Sequence, residues 1–135
     1  MPPAKSDTHV TPQRVWDLIE ESWGLEKYDM FDPCPVNGTN GLTVQWQSMN
    51  YVNPPYTLLT EFVHKAIDES KAYDSRTVLL LPCKTDQQWF HDLMKQNVEV
   101  VWIKGRLKFV GNKWSATQPH FLALIKEYLW GKNAW

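Results

Sequence analysis

The run Thr77-Val78-Leu79-Leu80-Leu81 restricts the fold more than any other stretch, because four consecutive aliphatic side chains cannot leave one face of a strand to water. A run this short, stopped by Pro82, reads as a strand buried on both faces, which requires covering layers on either side of a sheet. The neighbouring segments supply them. Leu58, Leu59, Phe62, Val63, Ala66 and Ile67 recur at helical spacing up to about Lys71, with Glu61, Lys65 and Asp68 facing away. Thr85 with Gln88 makes a capping box for a helix through about Gln96, packed by Trp89, Phe90, Leu93 and Met94. Near the start, Thr11 is expected to cap a helix with Pro12 at its first position, Val15, Leu18, Ile19 and Trp23 inward, and Gly24 at its end. Tyr28 to Phe31, Met49 to Val52 and Val98 to Ile103 read as further strands, and Phe121 to Ile125 as a last one, antiparallel at the edge. Strands alternating with helices predict an α/β fold with a mostly parallel sheet.

With 135 residues the chain fits one domain, read as a mobile arm over residues 1–10 and a single unit over 11–135. No apolar run approaches the roughly 18 residues of a membrane helix. The polar stretch Met1 to Val10 has no signal-peptide core. Cys34 and Cys83 are the only cysteines, so neither a disulfide framework nor a zinc site is expected, and a reducing compartment fits. The net charge of −1 hides an asymmetry: from Lys104 onward the cations are Lys104, Arg106, Lys108, Lys113, Lys126 and Lys132 against Glu127 alone. Such a local basic face can meet phosphate on a neutral protein, or be an ordinary solvated surface.

The chemistry concentrates in Tyr51-Val52-Asn53-Pro54-Pro55-Tyr56, an apolar run ended by two prolines. Pro54 and Pro55 fix φ and end the ladder, holding Asn53 and Tyr56 in a stiff turn. The Asn53 amide oxygen and the Pro54 carbonyl are two acceptors for the hydrogens of a planar substrate's amino group, and Tyr56 can stack on that plane. A second strand end, Phe31-Asp32-Pro33, places a carboxylate where nucleotide-binding α/β folds hold a ribose or amino group, although Asp32 equally suits a turn cap. Lys104-Gly105-Arg106-Leu107-Lys108-Phe109 alternates with period two, which sets Lys104, Arg106 and Lys108 on one face and Leu107 and Phe109 on the other. His9, His64, His91 and His120 form no recognisable triad, and most of the eight tryptophans are assigned to the core. Cys34 and Cys83 each follow a proline after an expected strand and read chiefly as packing residues.

The Asn53-Pro54-Pro55-Tyr56 segment resembles the (D/N/S)-P-P-(Y/F/W) motif of amino-methyltransferases. Thr11-Pro12 and Phe31-Asp32-Pro33 precede it, and Leu79-Leu80-Leu81-Pro82, Thr85-Asp86 with Trp89-Phe90, and Lys104-Gly105-Arg106-Leu107-Lys108-Phe109 follow it. In this order the blocks resemble the phage-type, Dam-like DNA N6-adenine methyltransferases, from about Thr11 to Ile125. The resemblance implies a compact, reduced Rossmann-like methyltransferase sheet flanked by helices. It also implies methyl transfer from S-adenosylmethionine to the N6 amino group of adenine in DNA. Asn53, Pro54, Pro55 and Tyr56 would be catalytic; Thr11, Pro12, Asp32, Pro33 and Asn53 would bind the cofactor; Lys104, Arg106 and Lys108 would bind DNA, with no metal. A cytoplasmic, phage-encoded protein acting in the host cell follows from the same likeness, with DNA as partner, no membrane, and a homodimer as one allowed assembly.

Two other readings stay open at this level. The same loop chemistry serves methylation of RNA or of a protein glutamine. The absence of a G-x-G loop, with only about twenty residues between Asp32 and Asn53, instead supports a non-catalytic nucleic-acid or cofactor-binding module of this fold.

Overall fold

The computed structural model describes residues 10–34 and 41–126; most of the expected arm, the loop after Cys34 and the tryptophan-bearing tail lie outside them. Its elements are α1 (Gln13–Trp23), β1 (Met49–Val52), α2 (Leu59–Tyr73), β2 (Arg76–Pro82), α3 (Gln88–Met94), β3 (Val98–Trp102) and β4 (His120–Ile125). They build a four-stranded mixed sheet in the order β1-β2-β4-β3. β1 and β2, joined through α2, are parallel, whereas β4 runs antiparallel to both β2 and β3.

The expectation of a mostly parallel sheet is therefore corrected: one of the three strand pairings is parallel. The cause lies in the connection between β3 and β4, which contains no helix and so brings the chain back in the opposite direction. β4 is antiparallel as expected, but it sits inside the sheet, and β3 takes the edge.

The apolar run of β2 behaves as its composition requires. Leu79 and Leu81 enter one buried cluster with Phe62, Val63, Ala66 and Ile67 of α2 and Trp89 and Leu93 of α3. Val78 and Leu80 point the other way, into a second cluster with Val15 and Ile19 of α1 and Ile103, Leu107 and Phe109. Two faces are covered, one by α2 and α3, the other by α1 and the segment after β3.

Several local expectations yield to longer-range partners. Tyr28 to Phe31 is not a strand: Glu26 and Asp29 cap one another around a helical turn at Lys27–Asp29, and Phe31 alone forms a parallel bridge to Asn50. Pro12, not Thr11, is the N-cap of α1, whose end at Gly24 uses φ of 68°, the left-handed geometry that favours glycine. α3 starts at Gln88 behind Gln87, so Thr85 with Gln88 is no capping box; Lys84 to Gln87 closes a separate turn instead. Val10, the last residue of the expected arm, pairs with Val110. Of the six tryptophans among the described residues, Trp46 and Trp89 are buried and Trp16 and Trp23 pack against the core, as expected of most, whereas Trp102 and Trp114 are 64% and 76% exposed.

The hub of β1 is Asn50, whose side chain is buried between the two parallel strands. Its amide oxygen accepts from the Gln47 N–H at 2.9 Å, and Nδ2 lies 2.7 Å from Ser75 Oγ, 2.8 Å from the Arg76 carbonyl and 3.0 Å from the Gln47 carbonyl. Replacing this amide by a hydrocarbon leaves buried polar groups without a partner. Asn50→Leu is expected to cost roughly 2–3 kcal/mol of stability, seen as a lower urea midpoint at unchanged slope. An unchanged midpoint would remove Asn50 as the hub.

Candidate functional site

The β1 backbone is held from both sides. Arg76 donates its N–H to the Ser48 carbonyl at 2.9 Å on the β2 side, while on the other side Phe31 N–H donates to Met49 at 3.0 Å and Tyr51 N–H donates to Phe31 at 2.9 Å. Phe31 and β1 run parallel, so the residues that follow them, Asp32 and Asn53, leave at the same end. The start of α1 closes the group. Thr11, Asp32, Cys34 and Asn53 line one cleft of about 230 Å³ together with Trp16 and Tyr51.

The polar contacts inside this cleft are specific. Thr11 Oγ1 and the Tyr51 hydroxyl are 2.6 Å apart, and Asn53 Nδ2 donates to Thr11 Oγ1 at 3.3 Å. Thr11 thus spends its hydroxyl on the base of the loop, which explains why it does not cap the helix. Burial pushes the Tyr51 phenol far above its ordinary pKa; the Thr11 bond opposes the shift and the charge of Asp32 adds to it. With the Asn53 NH₂ turned to Thr11, the carbonyl end of the amide is set on the opposite side.

Asp32 is exposed at the mouth of the cleft, yet the surrounding walls withhold enough water to raise its carboxyl pKa, an effect only partly offset by the N–H of Cys34. That N–H donates to Asp32 Oδ1 at 2.9 Å, so Asp32 does cap its own turn while also lining the cleft. Pro33 is buried: Gly41 packs so closely on it that an added Cβ would run into the Pro33 carbonyl. Pro12 is half-buried at the head of α1, and Cys34 and Cys83 both pack against the core cluster under α2 and α3, Cys34 also lining the cleft.

After Asn53, Pro54 is buried and Tyr56 begins a short helical turn, Tyr56–Leu58. Tyr56 keeps 37% of its surface exposed, and its hydroxyl lies 3.1 Å from Nε2 of His120. Burial raises the Tyr56 phenol pKa, so it holds its proton at neutral pH.

The basic segment divides. Ile103, Leu107 and Phe109 are buried and Lys104, Arg106 and Lys108 are exposed, as the alternation predicts, although the segment is not a ladder strand and Gly105 bends it at φ of 75°. Arg106 Nη1 donates to the Thr117 carbonyl, and Arg14 of α1 donates to the carbonyls of Lys104 and Arg106 at 3.1 and 3.4 Å. Arg106 thus uses one of its donors to hold the loop together, while Lys104, Arg106 and Lys108 all remain exposed. Trp16, Lys27, Arg14 and His120 were not singled out from sequence.

Among the described residues, no three His, Cys, Asp or Glu side chains are placed to hold a metal, and no helix is long and apolar enough to cross a membrane. The family described as DNA N-6-adenine-methyltransferase (Dam) matches residues 1–124. A DNA N-6-adenine-methyltransferase of Haemophilus phage HP1 is 28% identical over 120 residues, covering 79% of this chain and 68% of the relative. The enzyme of the same name from Escherichia phage T1 is 29% identical over 118 residues, covering 78% of this chain and 48% of the relative. No solved structure matches the chain.

The partial desolvation of Asp32 has a measurable consequence. A carboxyl whose folded pKa is raised above its unfolded value costs stability at neutral pH, and that cost fades as pH falls through the folded pKa. Asp32→Asn is expected to leave the melting temperature at pH 7 equal to or a few degrees above that of the parent, with the gap closing in acid. A melting temperature clearly lowered at pH 7 would make Asp32 a structural residue.

Proposed function

Because this chain belongs to the Dam family of DNA N-6-adenine-methyltransferases, we propose that it methylates the N6 amino group of adenine in DNA at the loop Asn53–Tyr56, with S-adenosylmethionine as methyl donor. The observation that carries this reading is the meeting of Thr11, Asp32 and Asn53 in one cleft beside the two prolines. When bound, S-adenosylmethionine supplies an electrophilic methyl group on a sulfonium.

The donor set of the cleft fits such a group. Asp32 offers a carboxylate for ribose hydroxyls or an ammonium, Trp16 offers a flat apolar wall, and Thr11 lines the same cleft in contact with Asn53. The volume of about 230 Å³ falls below the roughly 300–1,000 Å³ usual for small-molecule sites, so DNA or a second subunit would complete the walls. The sheet is read as a reduced version of the Rossmann-like methyltransferase fold, retaining the parallel β1-α2-β2 unit whose carboxyl end holds the site.

The target nitrogen of adenine is conjugated with its ring and lies inside the duplex, so the base must be extruded before reaction. Asn53 Oδ1 and the Pro54 carbonyl then accept the two N6 hydrogens and draw the lone pair out of conjugation. The contact of Asn53 with Thr11 orients the amide for that task. Tyr56 stacks on the extruded base and offsets part of the unstacking cost. Lys104 and Lys108 meet backbone phosphates, while Arg106 and Arg14 hold the segment that carries them.

Asn53→Ala is expected to lower turnover on the order of a hundredfold or more, with the fold intact. Turnover close to the parent's would remove the loop from the mechanism. Replacing Lys104 and Lys108 by Gln should lower the slope of log affinity for DNA against log salt by about two units, one per phosphate contact. An unchanged slope would return both lysines to the solvated surface.

A further inference from the structure

His120 stands at the start of β4, opposite Pro82 of β2, and is only 1% exposed. A buried imidazole needs partners at both nitrogens, and their chemistry here fixes its tautomer. Nδ1 lies 3.1 Å from the Gln118 carbonyl, which can only accept, so Nδ1 carries the hydrogen. In the neutral ring Nε2 then presents a lone pair, and the Tyr56 hydroxyl, 3.1 Å away, donates to it. The two rings also stack, with centroids 6.2 Å apart and planes 30° from parallel. On its other flank His120 meets Phe109 edge-on at 5.4 Å, and Phe109 is the buried end of the basic segment.

From this geometry we propose that His120 is a positioning residue for methyl transfer: it fixes the ring of Tyr56 through the Nε2 to hydroxyl bond, and Phe109 braces it from the segment that meets DNA. The inference rests on the reading of Tyr56 as the stacking platform and adds the residue that holds that platform still. The Asn53–Tyr56 loop has its own anchor at one end, Thr11 with Tyr51; His120 is the anchor at the other. An exposed tyrosine without such a tether would sample several rotamers, and stacking requires one.

The test is a double-mutant cycle on the full chain, with unmethylated bacterial DNA and tritium-labelled S-adenosylmethionine, and Asn53→Ala run beside it. His120→Leu and Tyr56→Phe should each lower kcat about tenfold, with DNA affinity within about twofold of the parent, and the double variant should lose no more than either single one. His120→Gln, whose side-chain oxygen reaches the place of Nε2, should restore most of the loss; His120→Asn, which mimics Nδ1, should not. That pair of amides carries the comparison if Leu at 120 does not fold. Nitrogen-15 spectra of the imidazole should show the Nδ1-protonated tautomer, with the Nε2 resonance moving in Tyr56→Phe. Losses that multiply to about a hundredfold, a parent-like kcat in His120→Leu, or an Nε2-protonated ring would overturn the proposal. Asn53→Ala separates the two levels: if it turns over normally, the loop reading itself fails, whereas an inactive Asn53→Ala beside an additive cycle removes only the role of His120.

Discussion

The site depends on a strand of four residues, β1, being held along both edges so that its end cannot move. Backbone bonds to Phe31 on one side and to β2 on the other fix its register, and the buried amide of Asn50 locks the start of both parallel strands to the Gln47–Ser48 turn. A strand this short would fray if only one edge were paired. Parallel pairing has a second consequence. Chains that run in the same direction end at the same edge, so Asp32 and Asn53 come together in one cleft.

From that edge outward, the loop is stiffened by covalent geometry and then tied at two points. Pro54 and Pro55 limit the backbone, Thr11, itself bonded to the buried Tyr51, receives the amide of Asn53, and His120 receives the hydroxyl of Tyr56. Each tie comes from a different layer: Thr11 precedes the helix on one face of the sheet, and His120 opens a strand within it. The basic segment has the same economy, since Arg14 and Arg106 are used on backbone carbonyls and the lysines are left outward. The guanidinium, with its several donors, is readily recruited to hold a loop.

Much of this was legible in the sequence where local chemistry decides the outcome. Val78 to Leu81 had to be covered on both faces, and it is. Two prolines after Met49 to Val52 had to end the strand there, and the burial alternation of Leu107 and Phe109 followed from period two. What stayed hidden depends on partners far along the chain. Thr11 looked like a helix cap because caps are local, whereas its partner Tyr51 lies 40 residues away. His120 looked isolated because Tyr56 is 64 residues distant. The direction of β4 was read correctly but its place was not, since sequence carries the periodicity of a strand and not its neighbours.

The central claim is that this cleft and loop methylate adenine in DNA. Its most direct test is to incubate the purified chain with labelled S-adenosylmethionine and DNA, RNA or protein in parallel, digest each product, and identify the labelled species by mass spectrometry. The account predicts label in N6-methyladenine from DNA and none in the RNA or protein digests. Label confined to RNA or to a protein amide, or binding of DNA and S-adenosylmethionine with no transfer to any substrate, would contradict it.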